Sequence, residues 1–589
     1  MKRSHTCGEL CQGDIGKQIT LCGWIASQRD HGGLIFIDLR DRWGITQIVF
    51  DPDRSDEKII ETAKRLRMET VIAIQGEVSA RPDNMINRDL NTGEIEVMVK
   101  ELQVLNESKP VPLAVKDPCE ASDETRLKYR YLDLRRPSMQ KNIMLRHKTA
   151  QCVRRFFDEE QFVEVETPCL MKSTPEGARD YLVPSRIYKG KFYALPQSPQ
   201  LYKQILMVAG YDRYFQIVKC FRDEALRADR QPEFTQIDVE MSFVDEDLVI
   251  ETMERLVARI FQEILGVQLK TPFPRLIFAD VMTRYGTDRP DLRFDMPVID
   301  ISDLAGQTDF RVFRETVGSG GRVRGLCLKG QGKLSRKQVD EYTEYVKVFG
   351  ARGLVVIQQT EEGVHSPIAK FLSDEEMNRI LGAFDAENGD VIFIIADKER
   401  VCCDALGNLR NQLAKSYQLY DPDAFALCWV LDFPLLEWDP EEKRYVAMHH
   451  PFTSPKPEDL PLMETDPGQV RARAYDLVLN GSEIAGGSIR NHQSHIQSKM
   501  LELLGIDENT ARNQFGFLID ALNYGAPPHG GIAFGFDRLV MMLSGEESIR
   551  EVIAFPKTTS ALSLMDGCPS EVDKRQLDEL GLTLSKKSS

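Results

Sequence analysis

From residue 1 to about 105 apolar and polar positions alternate in short runs, Gln18 to Ala26, Leu34 to Leu39, Gly44 to Phe50, Val71 to Val78 and Glu94 to Val104. A period of two predicts strands with one face buried and one wet. Asp56 to Arg67, between the third run and the fourth, changes to helical spacing, and five strands with one helix at that place suit a closed OB-fold barrel. Within Leu34-Ile35-Phe36-Ile37-Asp38, Phe36 shares its side with Asp38, and Gln47 is placed across the Asp41-to-Gly44 turn. An aromatic on the wet face beside an amide is a stacking platform for an unpaired base. The competing reading places Phe36 in the barrel core, the usual location of a strand phenylalanine.

Residues 106–122 are polar and carry Pro110, Pro112 and Pro118, the composition of a semi-rigid spacer. Beyond them Leu145, Val153, Phe156 and Phe157 fall at helical spacing, after which Val163 and Val165 alternate with Glu164 and Glu166 up to Pro168. Tyr214 to Cys220 is rich in aromatic and β-branched residues and leads into Phe221-Arg222-Asp223-Glu224. A second strand follows in which Phe234, Gln236, Asp238 and Glu240 share one side, so two facing strands can present guanidinium, amide and carboxylates to one cleft. Residues 295–422 interrupt with strands of their own at Arg324 to Leu328, Gly353 to Gln358 and Val391 to Ala396. Gly530 to Leu543 then reads as a glycine-interrupted strand turning into an apolar helix, with Arg538 near the helix start, where anions are favoured. A plain strand-to-helix corner with Asp537 as its cap is the competing reading there.

At 589 residues the chain is too long for one core, and three or four domains are expected. The net charge of −16 argues against a nonspecific nucleic-acid coat and confines any RNA contact to a defined face. Twelve cysteines are scattered without paired Cys-x-x-Cys units, so reduced thiols are expected in place of a metal site, and His492 and His495 read as a solvated pair. The basic start leads into no apolar segment and no long uncharged run follows, which predicts a cytoplasmic protein with no membrane span. Gly318-Ser319-Gly320-Gly321 fits no phosphate-loop spacing and reads as a loop. Without a P-loop, Arg222 and Arg538 are the groups placed to grip a triphosphate.

The blocks around Arg222 and Arg538 resemble motifs 2 and 3 of class II aminoacyl-tRNA synthetases, and Leu145 to Pro168 resembles motif 1. Ser173-Thr174-Pro175-Glu176-Gly177-Ala178-Arg179-Asp180-Tyr181, Gln197 to Gln204, His449-His450-Pro451-Phe452 and Asn480 to Arg490 narrow the resemblance to the bacterial-type aspartyl-tRNA synthetases of class IIb. It covers nearly the whole chain and implies an α+β multidomain protein. An N-terminal OB-fold β-barrel (1–105) binds the anticodon, a linker spans 106–122, and an antiparallel-sheet catalytic domain occupies 123–290 and 424–565. An inserted α/β, GAD-like domain takes 295–422, and 566–589 is a tail.

The same resemblance implies ATP-dependent ligation of L-aspartate to tRNA(Asp) through aspartyl-adenylate, with Mg²⁺, in a homodimer. Arg222 then bridges the aspartate carboxylate and the α-phosphate, and Arg538 holds the γ-phosphate end. Asp223, Glu224 and Gln231 contact ATP, Phe234 stacks on adenine, Gly535 lets the nucleotide approach the backbone beside Phe536 and Asp537, and Glu483 helps hold Mg²⁺ and ATP. Aspartate and asparagine are nearly isosteric, so charge must separate them; Arg490 and Lys203 match the positions that pair with the β-carboxylate, with His449 close by. Glu176, Gln200 and Asp238 receive the ammonium group, with Ser198 in the same site, while Arg29, Phe36 and Gln47 match anticodon contacts. His31-Gly32-Gly33 resembles the pattern in relatives that charge both tRNA(Asp) and tRNA(Asn), and Asn84 carries less information on that choice. The alternatives are an asparaginyl or lysyl enzyme, both disfavoured by Arg490, an RNA-binding paralogue without catalysis, and a free-standing ligating relative, which should lack the barrel.

Overall fold

The computed structural model describes residues 2–174, 178–224 and 230–585. Two compact units are present, one of Met1–His147, Leu226–Gln231 and Glu546–Val572, the other of Lys148–Ala225, Pro232–Gly545 and Asp573–Ser589.

In the first unit β1 (Gln18–His31), β2 (Leu34–Arg40), β3 (Ile45–Phe50), β4 (Val71–Ala80) and β5 (Ile95–Asn106) close into a barrel of order β1-β2-β3-β5-β4, as the alternation predicts. Leu21, Ile25, Ile35, Ile37, Ile48, Ile72, Ile74 and Val97 fill it, and burying each such side chain contributes about 1.5–3 kcal/mol. The helix Glu57–Arg65 packs Ile60 and Ala63 on that core and is capped by Asp56, whose carboxylate accepts from Lys58 N. Phe36 stays outside the core on the half-exposed face, opposite Arg29 and Val49. Glu69 is buried between Arg40 and Arg135, each 2.8 Å away, and the Arg135 guanidinium lies 4.9 Å from the Trp24 ring centre, so ion pair and ring together seat the segment after the linker. Deeper in the unit Arg130 donates to the carbonyls of Arg550, Ile553 and Ala554, while Asp133 lies between Arg126, Arg130 and Arg136.

The second unit carries β6 (Val163–Glu164), the hairpin β7 (Leu182–Pro184) and β8 (Phe192–Ala194), β9 (Arg213–Phe221), β10 (Glu233–Ser242) and β11 (Arg275–Ile277). The inserted segment follows with β12 (Ile299–Asp300), β13 (Arg322–Leu328), β14 (Val355–Thr360), β15 (Gly363–His365) and β16 (Val391–Asp397). Then come β17 (Leu427–Leu431), the hairpin β18 (Leu436–Asp439) and β19 (Arg444–Ala447), β20 (Ala474–Leu479), β21 (Ser482–Ile489) and β22 (His529–Gly535). The main sheet runs β11-β17-β20-β21-β22-β10-β9-β6, antiparallel through its centre and parallel only at its two outer pairs.

The insertion forms a separate five-stranded sheet, antiparallel throughout. Val391, Phe393 and Ile395 of β16 face the helix Glu399–Ser416, and Ile392 and Ile394 face Phe313, Ile380 and Leu381, so both faces are covered. Where Val163 and Val165 alternate with Glu164 and Glu166, the strand is short: Val163–Glu164 pair with β9, Val165 N adds a bond to Phe215 O at 3.3 Å, and Val163 is 45% exposed at this last strand of the sheet. The helix before it is as expected: Pro137–Glu159 buries Val153, Phe156 and Phe157.

Candidate active site

Strand β10 lies near the middle of the sheet, so polar groups there are buried and must find partners. Its register opposes Glu240 to Gly531 and Asp238 to Ala533 of β22. Gly531 is required sterically: a Cβ there would sit 2.0 Å from Glu240 Oε2 and 2.1 Å from Val239 O. The space lets Glu240 lie across β22 and meet Arg490, which follows the end of β21, with Arg490 Nε and Nη2 donating to the two carboxylate oxygens at 3.0 and 3.1 Å. Arg490 Nη1 is 2.6 Å from both Ser488 Oγ and His450 Nε2, and the arginine is 2% exposed. Lys203, from the helix Gln200–Val208, places Nζ 2.7 Å from Asp238 Oδ1 and 3.4 Å from Glu240 Oε2.

Two cations and two carboxylates thus share a site almost closed to water, which strengthens their mutual attraction and holds them in one arrangement. Burial alone would raise the Glu240 carboxyl, but Arg490 and Lys203 outweigh it and hold it below the usual carboxylate range. Burial wins at Asp238, which is pushed up against the pull of Lys203. Asp238 Oδ2 and the amide nitrogen of Gln200 are buried without a hydrogen-bond partner among the described residues. An oxygen lacking a donor and an amide lacking an acceptor, in one cleft, are the complement of a zwitterionic ligand.

The cleft is a cavity of about 360 Å³ walled by Ser198, Gln200, Lys203, Arg222, Gln236, Asp238, His449, Asp476, Glu483 and Arg490, with Phe433, Met448 and Asp288. At its mouth the Arg222 guanidinium lies 5.0 Å from the centre of the Phe234 ring, an orientation set by backbone pairing of Arg222 N with Pro232 O at 2.9 Å. Arg538, in the first turn of the helix Phe536–Ser544, donates through Nη1 to the Glu483 carbonyl. The Glu483 carboxyl is pushed up to about 7, first by the neighbouring Asp476 charge and then by the enclosing cleft walls, although the side chain itself reaches the solvent of the cleft. Gly486 makes room for this acidic pair, since a Cβ there would meet Asp476 Oδ1 at 2.8 Å and Glu483 Oε1 at 3.3 Å. His449 Nε2 lies 3.4 Å from Asp476 Oδ1; burial opposes its charge, but Asp476 and Glu483 leave it raised, whereas burial and the adjoining Arg490 drive His450 well below the usual value.

Of the expected positions, Ser198, Gln200, Lys203, Arg222, Asp238, His449, Glu483 and Arg490 meet in one cavity. Glu176 lies outside the described residues. Phe234 and Arg538 adjoin the cavity through Arg222 and Glu483. Asp223 is exposed and its N–H pairs with Arg179 O; Glu224 and Gly535 lie beside the strand ends, half-buried. Three side chains have structural tasks instead of a place in the cavity. The Gln231 amide is engaged both ways with the backbone of Lys557, at 2.7 and 3.0 Å. Phe536 is 2% exposed within the core. Asp537 does not cap its own helix: its carboxylate accepts Thr235 N at 2.7 Å and ties that helix to β10.

The cavity and the charge network behind it also contain residues that sequence reasoning did not assign. Glu240 shares the parity of Asp238 and was legible as a polar-face residue, though not as the partner of Arg490. Asp476, Asp288, His450 and Ser488 carried no signal of their own, because their proximity arises from strands far apart in the chain. On the barrel, Arg29 Nη2 lies 3.4 Å from Asp38 and from Gln47 Oε1, Gln47 donates to Glu96 at 2.9 Å, and His31 meets Phe36 edge-on at 5.8 Å between ring centres. Glu96 and the buried Arg81, whose Nη2 has no hydrogen-bond partner among the described residues, join this face unannounced by the sequence. Asn84 is exposed in the turn Asp83–Met85.

A barrel with a polar aromatic face and an antiparallel sheet bearing this charge network define a class II aminoacyl-tRNA synthetase. Residues 122–559 match the family described as tRNA synthetases class II (D, K and N), and 19–105 match the OB-fold nucleic acid binding domain. The chain belongs to that class II family. It is 57% identical over 581 residues to a protein named aspartate--tRNA(Asp/Asn) ligase from Geotalea uraniireducens, covering 99% of this chain and 98% of that one. It is 56% identical to the protein of the same name from Desulfatibacillum aliphaticivorans, covering 100% and 98%. Among solved structures, asparaginyl-tRNA synthetase from Pyrococcus horikoshii with asparaginyl-adenylate superposes with a TM-score of 0.60 at 19% identity, over 95% of this chain and 98% of the other, which shows a shared fold.

Proposed function

We propose that this protein ligates L-aspartate to tRNA(Asp) in two steps. The α-carboxylate attacks the α-phosphorus of ATP, the bond to diphosphate breaks and aspartyl-adenylate forms. A terminal ribose hydroxyl of the tRNA then attacks the activated carbonyl and AMP leaves, its phosphate taking up the negative charge. No protein nucleophile is needed. The chain's task is to position the reactants and neutralise charge.

The observation that carries this reading is the buried quartet of Lys203, Arg490, Asp238 and Glu240. Glu240 uses one N–H of Nε and one of Nη2, and Nη1 faces Ser488 and His450, so one N–H of the five in the guanidinium remains for a ligand. A β-carboxylate takes that N–H together with Lys203, which a carboxamide rewards far less. Asp238 Oδ2 receives the ammonium end, and the Gln200 amide N–H beside it awaits an acceptor oxygen of the ligand. Arg222 bridges the carboxylate and the α-phosphate, Phe234 backs it and offers a face to adenine, and Arg538 takes the terminal phosphate.

Asp476 and Glu483, whose repulsion raises Glu483, form a donor pair that suits Mg²⁺, which keeps one or two protein carboxylates and completes its shell with water and phosphate. When bound, the ion neutralises charge on the phosphates.

The barrel face of Arg29, Phe36 and Gln47 holds the anticodon, and His31 against Phe36 supports acceptance of tRNA(Asn) as well as tRNA(Asp). The exposed Val163, Leu170, Leu182 and Ile187 support a homodimer. The protein works in the cytoplasm; among the described residues no helix is long and apolar enough to cross a membrane. The test is exchange of pyrophosphate into ATP, expected with aspartate and absent with asparagine or lysine, followed by charging of both purified tRNAs. Exchange supported by asparagine overturns the amino-acid assignment, and charging of tRNA(Asp) alone removes tRNA(Asn).

A further inference from the structure

The helix Glu399–Ser416 of the inserted segment carries Arg410, which is 1% exposed and has no ion pair among the described residues. A guanidinium without a carboxylate is costly to bury, and burial pulls this one down to about 10 against the opposing charge of Asp291. Backbone carbonyls hold it there: Nε donates to Met296 O at 2.8 Å, and Nη2 donates to Asp291 O and Phe294 O, each at 3.0 Å. The guanidinium also lies 4.0 Å from the Phe294 ring centre and 4.9 Å from that of Tyr285. All three bonds go to one stretch of chain, 291–296, and Nη1 has no hydrogen-bond partner among the described residues.

That stretch borders the aspartate cleft. Upstream of it Gly286, at φ +68°, ends the helix Phe278–Tyr285 against the same inserted helix. A Cβ on Gly286 would lie 2.5 Å from Cys403 O and one on Gly407 2.6 Å from Gly286 O, so the two backbones touch. Downstream, the Asp291 carboxylate is clamped by Arg293 at 2.7 and 3.0 Å, and its Cβ packs on the turn between β20 and β21, 3.2 Å from where a Cβ on Gly481 would stand. The span between these two pins, 287–290, is four residues long and includes Pro290, whose ring stiffens it. It brings Asp288 into the cleft wall with Asp476 and Glu483. Among the described residues Asp288 has one hydrogen bond, from Thr287 Oγ1 at 3.4 Å, and no ion pair, so the pinned ends of the span fix its place and its own contacts do not.

We propose that Arg410 is a positioning residue for aspartate activation: by holding 291–296 it sets Asp288, and the turn joining the strands of Asp476 and Glu483, so that three carboxylates face the metal side of the nucleotide. The inference rests on the reading of Asp476 and Glu483 as the Mg²⁺ donors. Removing a group that orients a metal site lowers metal affinity or activity by about 10- to 100-fold. The quartet that reads aspartate stands on β10, on the helix Gln200–Val208 and beyond the end of β21, and Arg410 bonds to none of it. Metal and ATP therefore feel the loss of Arg410, and aspartate does not. The inserted domain then has a task in the first step, carried by one side chain.

The test uses the full chain with Arg410→Met, which removes the donors at similar volume, Arg410→Lys as the conservative variant, and Asp288→Asn. Ile380→Ala, on the other face of the inserted sheet and with no packing partner in 286–296, measures the effect of lost stability alone. Mn²⁺ added by itself and followed by electron paramagnetic resonance reads the metal site, and Mg²⁺-dependent pyrophosphate exchange reads activation. Mn²⁺ affinity should fall and KM for ATP rise about 10- to 100-fold in Arg410→Met and Asp288→Asn, and less in Arg410→Lys, with KM for aspartate within about twofold of the parent. Ile380→Ala should lower the melting temperature and leave both readouts unchanged. Parent-like Mn²⁺ binding in Arg410→Met or in Asp288→Asn overturns the inference, as does an equal loss in Ile380→Ala. If Arg410→Met does not fold, Arg410→Lys and Asp288→Asn decide by the same criteria. Unchanged Mn²⁺ binding in Asp476→Asn removes the metal reading, and absence of aspartate-dependent exchange in the parent removes the proposed function, so the three failures are distinct.

Discussion

Replacing Arg490 with methionine keeps most of the side-chain volume and removes the guanidinium. Glu240 then loses both N–H donors, at 3.0 and 3.1 Å, and keeps only Lys203 at 3.4 Å, which Asp238 already holds at 2.7 Å. Two fully buried carboxylates would share one ammonium. Breaking a buried pair from one side costs about 3–5 kcal/mol, because the remaining charge is stranded. The same guanidinium is read here as the receptor of the substrate β-carboxylate, so a comparable loss falls on activation, about 10²- to 10⁴-fold in kcat/KM for aspartate at 1.4 kcal/mol per decade. Pyrophosphate exchange measures the activity and thermal melting the fold. A double variant, Glu240→Leu with Arg490→Met, separates the two: with both charges gone the melting temperature should recover, while aspartate activation should not. If either the single or the double variant activates aspartate within about threefold of the parent, Arg490 is not the reader of the substrate and the reasoning is wrong.

Phe36→Ala should raise KM for tRNA by about tenfold, from loss of roughly 1–3 kcal/mol of base stacking, with pyrophosphate exchange unchanged; equal KM values would return Phe36 to a purely structural role. Gly531→Ala brings a Cβ to 2.0 Å from Glu240 Oε2 and 2.1 Å from a backbone carbonyl, so β22 must shift from β10; a loss of about 1–3 kcal/mol in denaturant unfolding and a raised KM for aspartate are expected. Asp133 is pushed up by burial, but hydrogen bonds from Arg126 and Arg136 outweigh this and leave its carboxyl below the usual value. A depressed folded-state value stabilises above the unfolded one and ceases to do so as pH falls through it. Asp133→Asn should therefore lower the melting temperature at pH 7, and the gap to the parent should close below about pH 4, the ordinary aspartate range; a gap independent of pH would refute the assignment.

Strand alternation from residue 18 onward was enough to predict the barrel, because each strand's buried side is a local property of period two and every run has its apolar residues in phase. The spacer was read from proline and polar composition and the insertion from motif resemblance, which also located Lys203, Arg222, Asp238, Glu483 and Arg490, side chains that the fold gathers. Only the folded chain decided what those groups do to one another. Glu240 and Arg490 stand 250 positions apart and meet because a glycine on the intervening strand leaves space between them. Asp537, readable as a helix cap, instead accepts a backbone N–H from a strand 302 positions earlier, and Gln231 pairs with a backbone 326 positions later. Arg410 likewise reaches back 114 to 119 positions to the backbone that follows Asp288. Periodicity reports which side of an element is dry, a short-range fact. Which charges share a dry space depends on strand order and register, and these are set by packing across the whole sheet.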